Sequence, residues 1–492
     1  MSTKTPLQHS FGATATRGVT LMSTANFAAK LLGIGTLYVT GLLLSPEDFA
    51  LYAIAIAWGE LFEFLRNGGM QKILIYRGKS FRHLYAPLCG LSFVINIALC
   101  AMVMAIAPFV AAGYESSKLI PLIMIIGVSI PAGTVPILLR AELSIDLRFG
   151  EISILNVYAA LLRNASIIAL AFLEFGPFSL AWPFVLVMLF EWAYLIRRSR
   201  VDWRPSLPNV RLFWATVRQS AWIIPGLAAM AMASNGSYLV IGALENKTTT
   251  GLYFFGFQLS LAVFTMISQS LYAVFTPSFA SLSDHPARRD KAFVQSIEMS
   301  AFVIFFLGFG IAAVAQPTVG WVWSGKWDAA IPVVEIIAVT AVRLSVTTTV
   351  RSLLEARGIW KAGTLLSVTD AVGLMVSSAI GALMGGLIEI AIAVGAYSLI
   401  GGVIYVVVAS RYVSVSLGTV LKAVFWPYLI GIAALAGAWG LTIVLPAFGH
   451  AAIEAFVKGT MYVALFGLCA FILKRELCMT AFGMLWRIVR RR

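Results

Sequence analysis

Residues 84–112 read LYAPLCGLSFVINIALCAMVMAIAPFVAA, without one Asp, Glu, Lys or Arg. As a helix rising about 1.5 Å per residue, this run is longer than the roughly 30 Å hydrocarbon core of a bilayer is thick. Backbone groups in hydrocarbon find no water, so they pair within the chain, as helices or as a closed barrel. Barrel strands are segments of about ten residues that alternate apolar and polar positions. Residues 84–112 are unbroken and do not alternate. They read as a membrane-spanning helix.

Similar runs recur from end to end. They place about fourteen spans at 18–44, 49–66, 84–112, 119–140, 152–173, 178–196, 217–244, 252–282, 293–315, 330–354, 364–384, 387–409, 421–445 and 450–473. The expected fold is all-α and polytopic. Composition agrees: apolar residues make up 60% of the 492 and charged ones 12%, with a mean hydropathy of +0.89. Soluble domains carry roughly 25% charged residues. The first run is too long for a cleaved signal segment and reads as an uncleaved span. The four cysteines form no CxxC pair and read as small packing residues.

The net charge of +14 is a topology signal. With a cytoplasmic N-terminus, 29 of the 36 Lys and Arg residues fall on the inside, and only Lys118, Lys247, Lys326 and Lys458 outside. Alternate loops obey the positive-inside rule throughout, so both termini are expected in the cytoplasm of an inner membrane. The bilayer is the partner of this charge, and no nucleic acid is expected. The tail from Lys474 places Leu477, Ala481, Leu485 and Ile488 on one face above clustered arginines, as an interfacial helix does.

Two stretches align at an offset of 201: Gly41–Tyr52, GLLLSPEDFALY, and Gly242–Tyr253, GALENKTTTGLY. An even number of spans separates them, which describes parallel repeats about an axis along the membrane normal. The chain then divides into a cytoplasmic N-terminus (1–17), a first lobe of six spans (18–196), a cytoplasmic linker (197–216), a second lobe (217–409), two extra spans (410–473) and the basic tail (474–492).

Three cations lie within spans: Lys30, Arg163 and Arg343. Counting along each helix puts all three roughly 16–18 Å from the cytoplasmic ends. Ionisable groups at that depth face a hydrated cavity or a partner. Asn26, Asn164 and Asn235 extend such a lining, and a pyrophosphate-like headgroup is the ligand it suits. Glu60, Glu63 and Asp370 are candidates for ion coupling or for pairing. Glu60 lies at about the depth of Lys30, whereas Arg163 and Arg343 have no acid at theirs. Gly33 and Gly35 in span 1, and Pro225 with Gly226 in span 7, permit bending or close packing.

Chemistry for catalysis is missing from the sequence. No HExxH, P-loop or GxSxG pattern occurs, the histidines are scattered, and no cofactor or metal is expected. External loops are too short for a catalytic domain.

Three blocks carry a resemblance: LLLSPEDFALYAIAIAWGELFEFLRNGGMQKILIYRG (42–78), GLYFFGFQLSLAVFTMISQSLYAVFTPSFASLSD (251–284) and SGKWDAAIPVVEIIAV (324–339). In order and spacing they resemble the polysaccharide transport branch of the multidrug/oligosaccharidyl-lipid/polysaccharide exporter superfamily, the Wzx-type flippases. The resemblance implies two six-helix lobes around a V-shaped cavity, with two extra helices. It also implies movement of an undecaprenyl-pyrophosphate-linked repeat unit to the periplasmic leaflet, alongside polysaccharide polymerase and export machinery. Lys30, Arg163 and Arg343 match no family motif, so their roles rest on depth. A cation-coupled drug exporter of the same superfamily and a membrane-embedded glycan polymerase or ligase are the alternatives. The first would prefer an acidic cavity, and the second a longer external loop.

Overall fold

The computed structural model describes residues 28–67, 81–202, 204–206, 214, 223–444 and 450–473. Regular structure among them is helical throughout. The first half contains α1 (Ala28–Leu43), α2 (Pro46–Asn67), α3 (Phe81–Gly113), α4 (Leu119–Ala132), α5 (Thr134–Ile145), α6 (Phe149–Phe172), α7 (Phe178–Arg198) and α8 (Ile223–Leu244). After it come α9 (Lys247–Ser281), α10 (Pro286–Val322), α11 (Ile331–Val339) and α12 (Val342–Ala356). The chain continues through α13 (Trp360–Met384), α14 (Leu387–Ser410), α15 (Leu417–Val444) and α16 (Ala451–Leu473).

Ten helices among the described residues are long and apolar enough to cross a membrane, or twelve when each bent pair counts as one. The expected fourteen differ from this through α1 and α2. Only a short apolar stretch of α1 is described, and α2 carries Glu47, Asp48, Glu60 and Glu63. Large apolar side chains such as Phe109, Leu383 and Phe456 are exposed, as lipid-solvated helices allow.

Two spans expected to be continuous are broken. The pair α4–α5 bends by 41° and the pair α11–α12 by 45°. Each is the fourth span of a lobe as the sequence divides them. At the first break Pro131 and Gly133 interrupt the ladder, since proline has no N–H and clashes with the preceding turn. The second has no proline at the bend. There the Thr340 hydroxyl donates to the Ile336 carbonyl at 2.6 Å, and the Val342 amide turns back to the Thr340 carbonyl at 2.7 Å.

The sequence repeat marks a pair of helix starts. Ser45 and Asp48 cap α2 reciprocally: the Ser45 hydroxyl donates to Asp48 Oδ2 at 2.7 Å, and the Asp48 amide to Ser45 Oγ at 3.2 Å. At the equivalent position Asn246 Oδ1 accepts the Thr249 amide at 2.7 Å at the start of α9. Both satisfy amides that the first helical turn leaves without a partner.

The helices form two compact units, Met1–Gly251 and Leu252–Arg492. Within the first, α2 packs against α8 and α4, α3 against α4, and α6 against α7. Helix α8, counted in the second lobe from the sequence, is thus grouped by its packing with the first unit. Gly251 lies close to the start of α2, where a Cβ would stand 1.8 Å from the Pro46 carbonyl oxygen. The linker is partly held down on this unit. Glu142 accepts the Ser199 hydroxyl at 2.7 Å and the Arg200 amide at 2.8 Å, and the Ser206 amide donates to the Ala86 carbonyl at 3.0 Å.

In the second unit α10 packs against α11, α12, α15 and α16, and α13 against α14. Phe264, Phe305, Phe309 and Tyr462 are buried in its core. The two helices outside the repeat are therefore built into this core. The N-terminus, the loop 68–80 and the tail from Lys474 lie outside the described residues, and so does the expected interfacial helix.

Candidate functional site: charges held within the membrane helices

In the first unit, α1 brings Lys30 near enough to Arg163 of α6 for their charges to repel. Two neighbouring helix positions fix this arrangement. The Thr36 hydroxyl donates to Asn164 Oδ1 at 2.6 Å, and Asn164 Nδ2 donates to the Ala160 carbonyl at 2.7 Å. The Arg163 guanidinium lies 5.6 Å from the centroid of the Phe184 ring on α7, within the range of a cation–π attraction. Neither cation has an ion pair among the described residues. Glu60, whose depth allowed pairing with Lys30, instead accepts a hydrogen bond from Asn235 Nδ2 of α8. That bond joins α2 to α8.

In the second unit, Arg343 is differently placed. The expectation that it has no acid at its depth is corrected: Arg343 Nη1 donates to Asp370 Oδ2 of α13 at 2.9 Å. Depth counted along the backbone misses the pair because a long arginine side chain carries its charge away from its own Cα. Asp370 also accepts the Tyr405 hydroxyl at 2.7 Å, and the Tyr397 hydroxyl, which donates to the Thr369 carbonyl, lies 3.3 Å away. Arg351, two turns along α12, donates to Ser367 Oγ at 3.1 Å and to the Tyr405 hydroxyl at 3.4 Å. One turn further, Glu355 accepts from the Tyr272 hydroxyl of α9. Positions 343, 347, 351 and 355 repeat at the i, i+4 interval and share one face. This polar face of α12 thereby joins α9, α13 and α14.

A third arrangement was not foreseen. Arg140 was assigned to an inside loop, but α5 continues to Ile145 and carries it within the helix. Arg140 holds Glu191 of α7 through two nitrogens, Nη2 to Oε1 at 2.5 Å and Nε to Oε2 at 3.3 Å. Its Nη1 donates to Asn156 Oδ1 at 2.8 Å. The cue in sequence was the break at Pro131 and Gly133, which moves the end of the span. Lys458, assigned to an external loop, is likewise buried in α16 and paired with Glu454 at 2.7 Å.

Of the remaining expected residues, Asn26 lies outside the described residues, as does the side chain of Glu63. Gly33 and Gly35 sit inside α1, where a Cβ at either would meet nothing within 4 Å. Pro225 and Gly226 lie in the first described turn of α8.

Comparison with known proteins follows the same lines. The family described as polysaccharide biosynthesis protein matches residues 42–332. The lipopolysaccharide biosynthesis protein WzxC of Escherichia coli (strain K12) is 22% identical over 344 residues, covering 66% of this chain and 67% of that protein. Among solved structures, the inward closed conformation of the lipid II flippase MurJ superposes with a TM-score of 0.70 at 13% identity, over 93% of this chain and 99% of that one. An inward-facing multidrug resistance transporter of the MATE family gives 0.61 at 14% identity, over 80% and 96%. At such identities the two structures speak for the fold.

Proposed function

Because the chain belongs to the polysaccharide biosynthesis protein family of exporters, within the MOP superfamily of transporters and not of enzymes, we propose that it is a flippase for polyprenyl-pyrophosphate-linked oligosaccharides. The repeat units would pass from the cytoplasmic to the periplasmic leaflet of a bacterial inner membrane for exopolysaccharide synthesis. A sugar headgroup cannot enter hydrocarbon unaided, because each hydroxyl would lose its water without a new partner. A hydrated path through the helices removes that barrier while the polyprenyl chain stays in lipid. Alternating access to the two sides completes the cycle.

The observation that carries this reading is that α1 and α6, joined by the Thr36–Asn164 hydrogen bond, carry Lys30 and Arg163 within range of mutual repulsion, with no ion pair for either among the described residues. Like charges at membrane depth repel, and an anion bridging them removes the repulsion. A pyrophosphate carries charge enough for both and offers several acceptor oxygens to a guanidinium and an ammonium. A cationic drug would meet repulsion at the same place. Positive-inside charge supports cytoplasmic termini, and polysaccharide polymerase and export machinery are the partners such a product requires.

The test is export in a deletion strain carrying Lys30→Gln or Arg163→Gln at normal abundance. Secreted polysaccharide should fall by about tenfold or more with either variant, as loss of one charge-assisted hydrogen bond implies. Complete repeat units should accumulate on lipid, read by mass spectrometry. Wild-type export with both variants would refute the role of the pair.

A further inference from the structure

Arg140 and Arg343 both sit on the second half of a broken span, and both reach a carboxylate on a neighbouring helix. Their bonding differs. Arg140 gives hydrogen bonds from Nε, Nη1 and Nη2 to two acceptor groups. Arg343 makes one side-chain hydrogen bond, to Asp370, and its Nε is buried without an acceptor among the described residues. A buried donor without a partner is costly. Arg140 is a finished structural bridge, and Arg343 is not.

The acid is the better-held partner. The Asp370 side chain is 2% exposed, and that of Arg343 is 15% exposed. The Tyr405 hydroxyl donates to Asp370 at 2.7 Å, a bond in which Arg343 takes no part, and the Tyr397 hydroxyl lies 3.3 Å away. Arg351, linked to Tyr405 at 3.4 Å, leaves a second positive charge nearby. Removing one member of a buried ion pair usually strands the other charge at a cost of several kcal/mol. Here the phenols and Arg351 lower that cost. Gly373 shows how closely this shell is built, since a Cβ there would stand 1.9 Å from the Tyr397 ring.

We infer that Asp370 is a built-in competitor for Arg343: it occupies the guanidinium when no phosphoryl anion is bound and yields it to one that arrives. Arg343 then exchanges a carboxylate inside the protein for a phosphoryl group, while Asp370 is retained by Tyr405 and the nearby Arg351. Binding is weakened by the strength of the pair that must open, and release is aided by the same amount, since a ligand shifts an equilibrium only by its differential affinity for the two states. A carrier that must let go of its cargo gains from such a counterweight. This inference rests on the flippase reading for the identity of the anion, though not for the exchange itself.

The experiment is titration of the full-length protein, in nanodiscs of zwitterionic lipid, with inorganic pyrophosphate. Asp370→Asn removes the competitor's charge and should bind at least about tenfold tighter, one charged hydrogen bond's worth. Arg343→Gln added to it should abolish the gain, and Asp370→Glu should bind as wild type does. Tyr405→Phe removes the hydroxyl that donates to Asp370 and leaves every charge in place. With one donor fewer, Asp370 leans more on Arg343, and affinity should fall severalfold. Unchanged or weaker binding by a folded Asp370→Asn protein, or unchanged binding by Tyr405→Phe, would overturn the inference. If phosphatidylglycerol in the discs erases the gain, the competing anion is a membrane headgroup. If it does not, a soluble phosphoryl group is bound. Lys30→Gln with Arg163→Gln separates the two readings: full affinity in that double variant, with the Asp370→Asn gain intact, refutes the cation pair and leaves the competitor standing.

Discussion

The Thr36 hydroxyl donates to Asn164 Oδ1 at 2.6 Å, and this one bond ties α1 to α6 beside the two cations those helices carry. Asn164 directly follows Arg163 on α6, so the bond helps set where that charge stands. Thr36→Val keeps the shape and removes the donor. It should cost about 1 kcal/mol of stability, the usual worth of such a bond between membrane helices. Export should fall by less than in Arg163→Gln. Thermal unfolding of the purified protein and assay of secreted polysaccharide measure the two effects. A variant with normal stability and the full export defect of Arg163→Gln would contradict this positioning role.

Arg140 and Glu191 make the opposite case, a bridge whose function is to hold helices. Glu191→Ala leaves a buried guanidinium without its carboxylate, at a cost of about 3–5 kcal/mol. Lysine cannot reproduce the two-pronged grip, so Arg140→Lys should also destabilise. The midpoint of thermal unfolding in detergent reads both. Midpoints equal to wild type would show that the pair contributes nothing.

Gly251 permits the closest approach at the junction of the repeats. The Cβ of Gly251→Ala would stand 1.8 Å from the Pro46 carbonyl oxygen, and backbone cannot rotate away as a side chain can. The expected loss is about 1–3 kcal/mol, the range for overpacked sites. Protein recovered from membranes and its unfolding midpoint should both drop. An unaltered midpoint would mean that α9 shifts freely relative to Pro46.

Ser45 and Asn246 cap equivalent helices. Ser45→Ala and Asn246→Ala should each cost about 1 kcal/mol, measured as matching falls in unfolding midpoint. An effect at one cap alone would argue that the two starts are not equivalent.

Orientation is open to chemical labelling. A single cysteine at Lys118, Lys247 or Lys326 should react with a membrane-impermeant maleimide from the periplasmic side. One at Arg288 or Arg357 should react only after permeabilisation. The reverse pattern would invert the proposed topology.

The helices were legible because a span needs only length and apolarity, and both lie on the surface of the sequence. Charge alternation assigns each span an expected direction. What escaped were contacts made by long side chains. Depth measured at Cα placed Arg343 away from Asp370, and a span ended at Arg140 concealed its bridge to Glu191. The proline and glycine at the first break could have been read as one, whereas Thr340 at the second gives no such warning. Pairing of Lys30 with Glu60 fitted the depths equally well; among the described residues Glu60 accepts from Asn235 and forms no ion pair with Lys30.

The two bends have a historical consequence. Fourth spans that bend by 41° and 45° are interrupted by proline and glycine in one half and by a threonine in the other. If the halves descend from a duplicated six-span ancestor, that ancestor was already bent there. The two halves then hold nearly the same angle through two different chemistries.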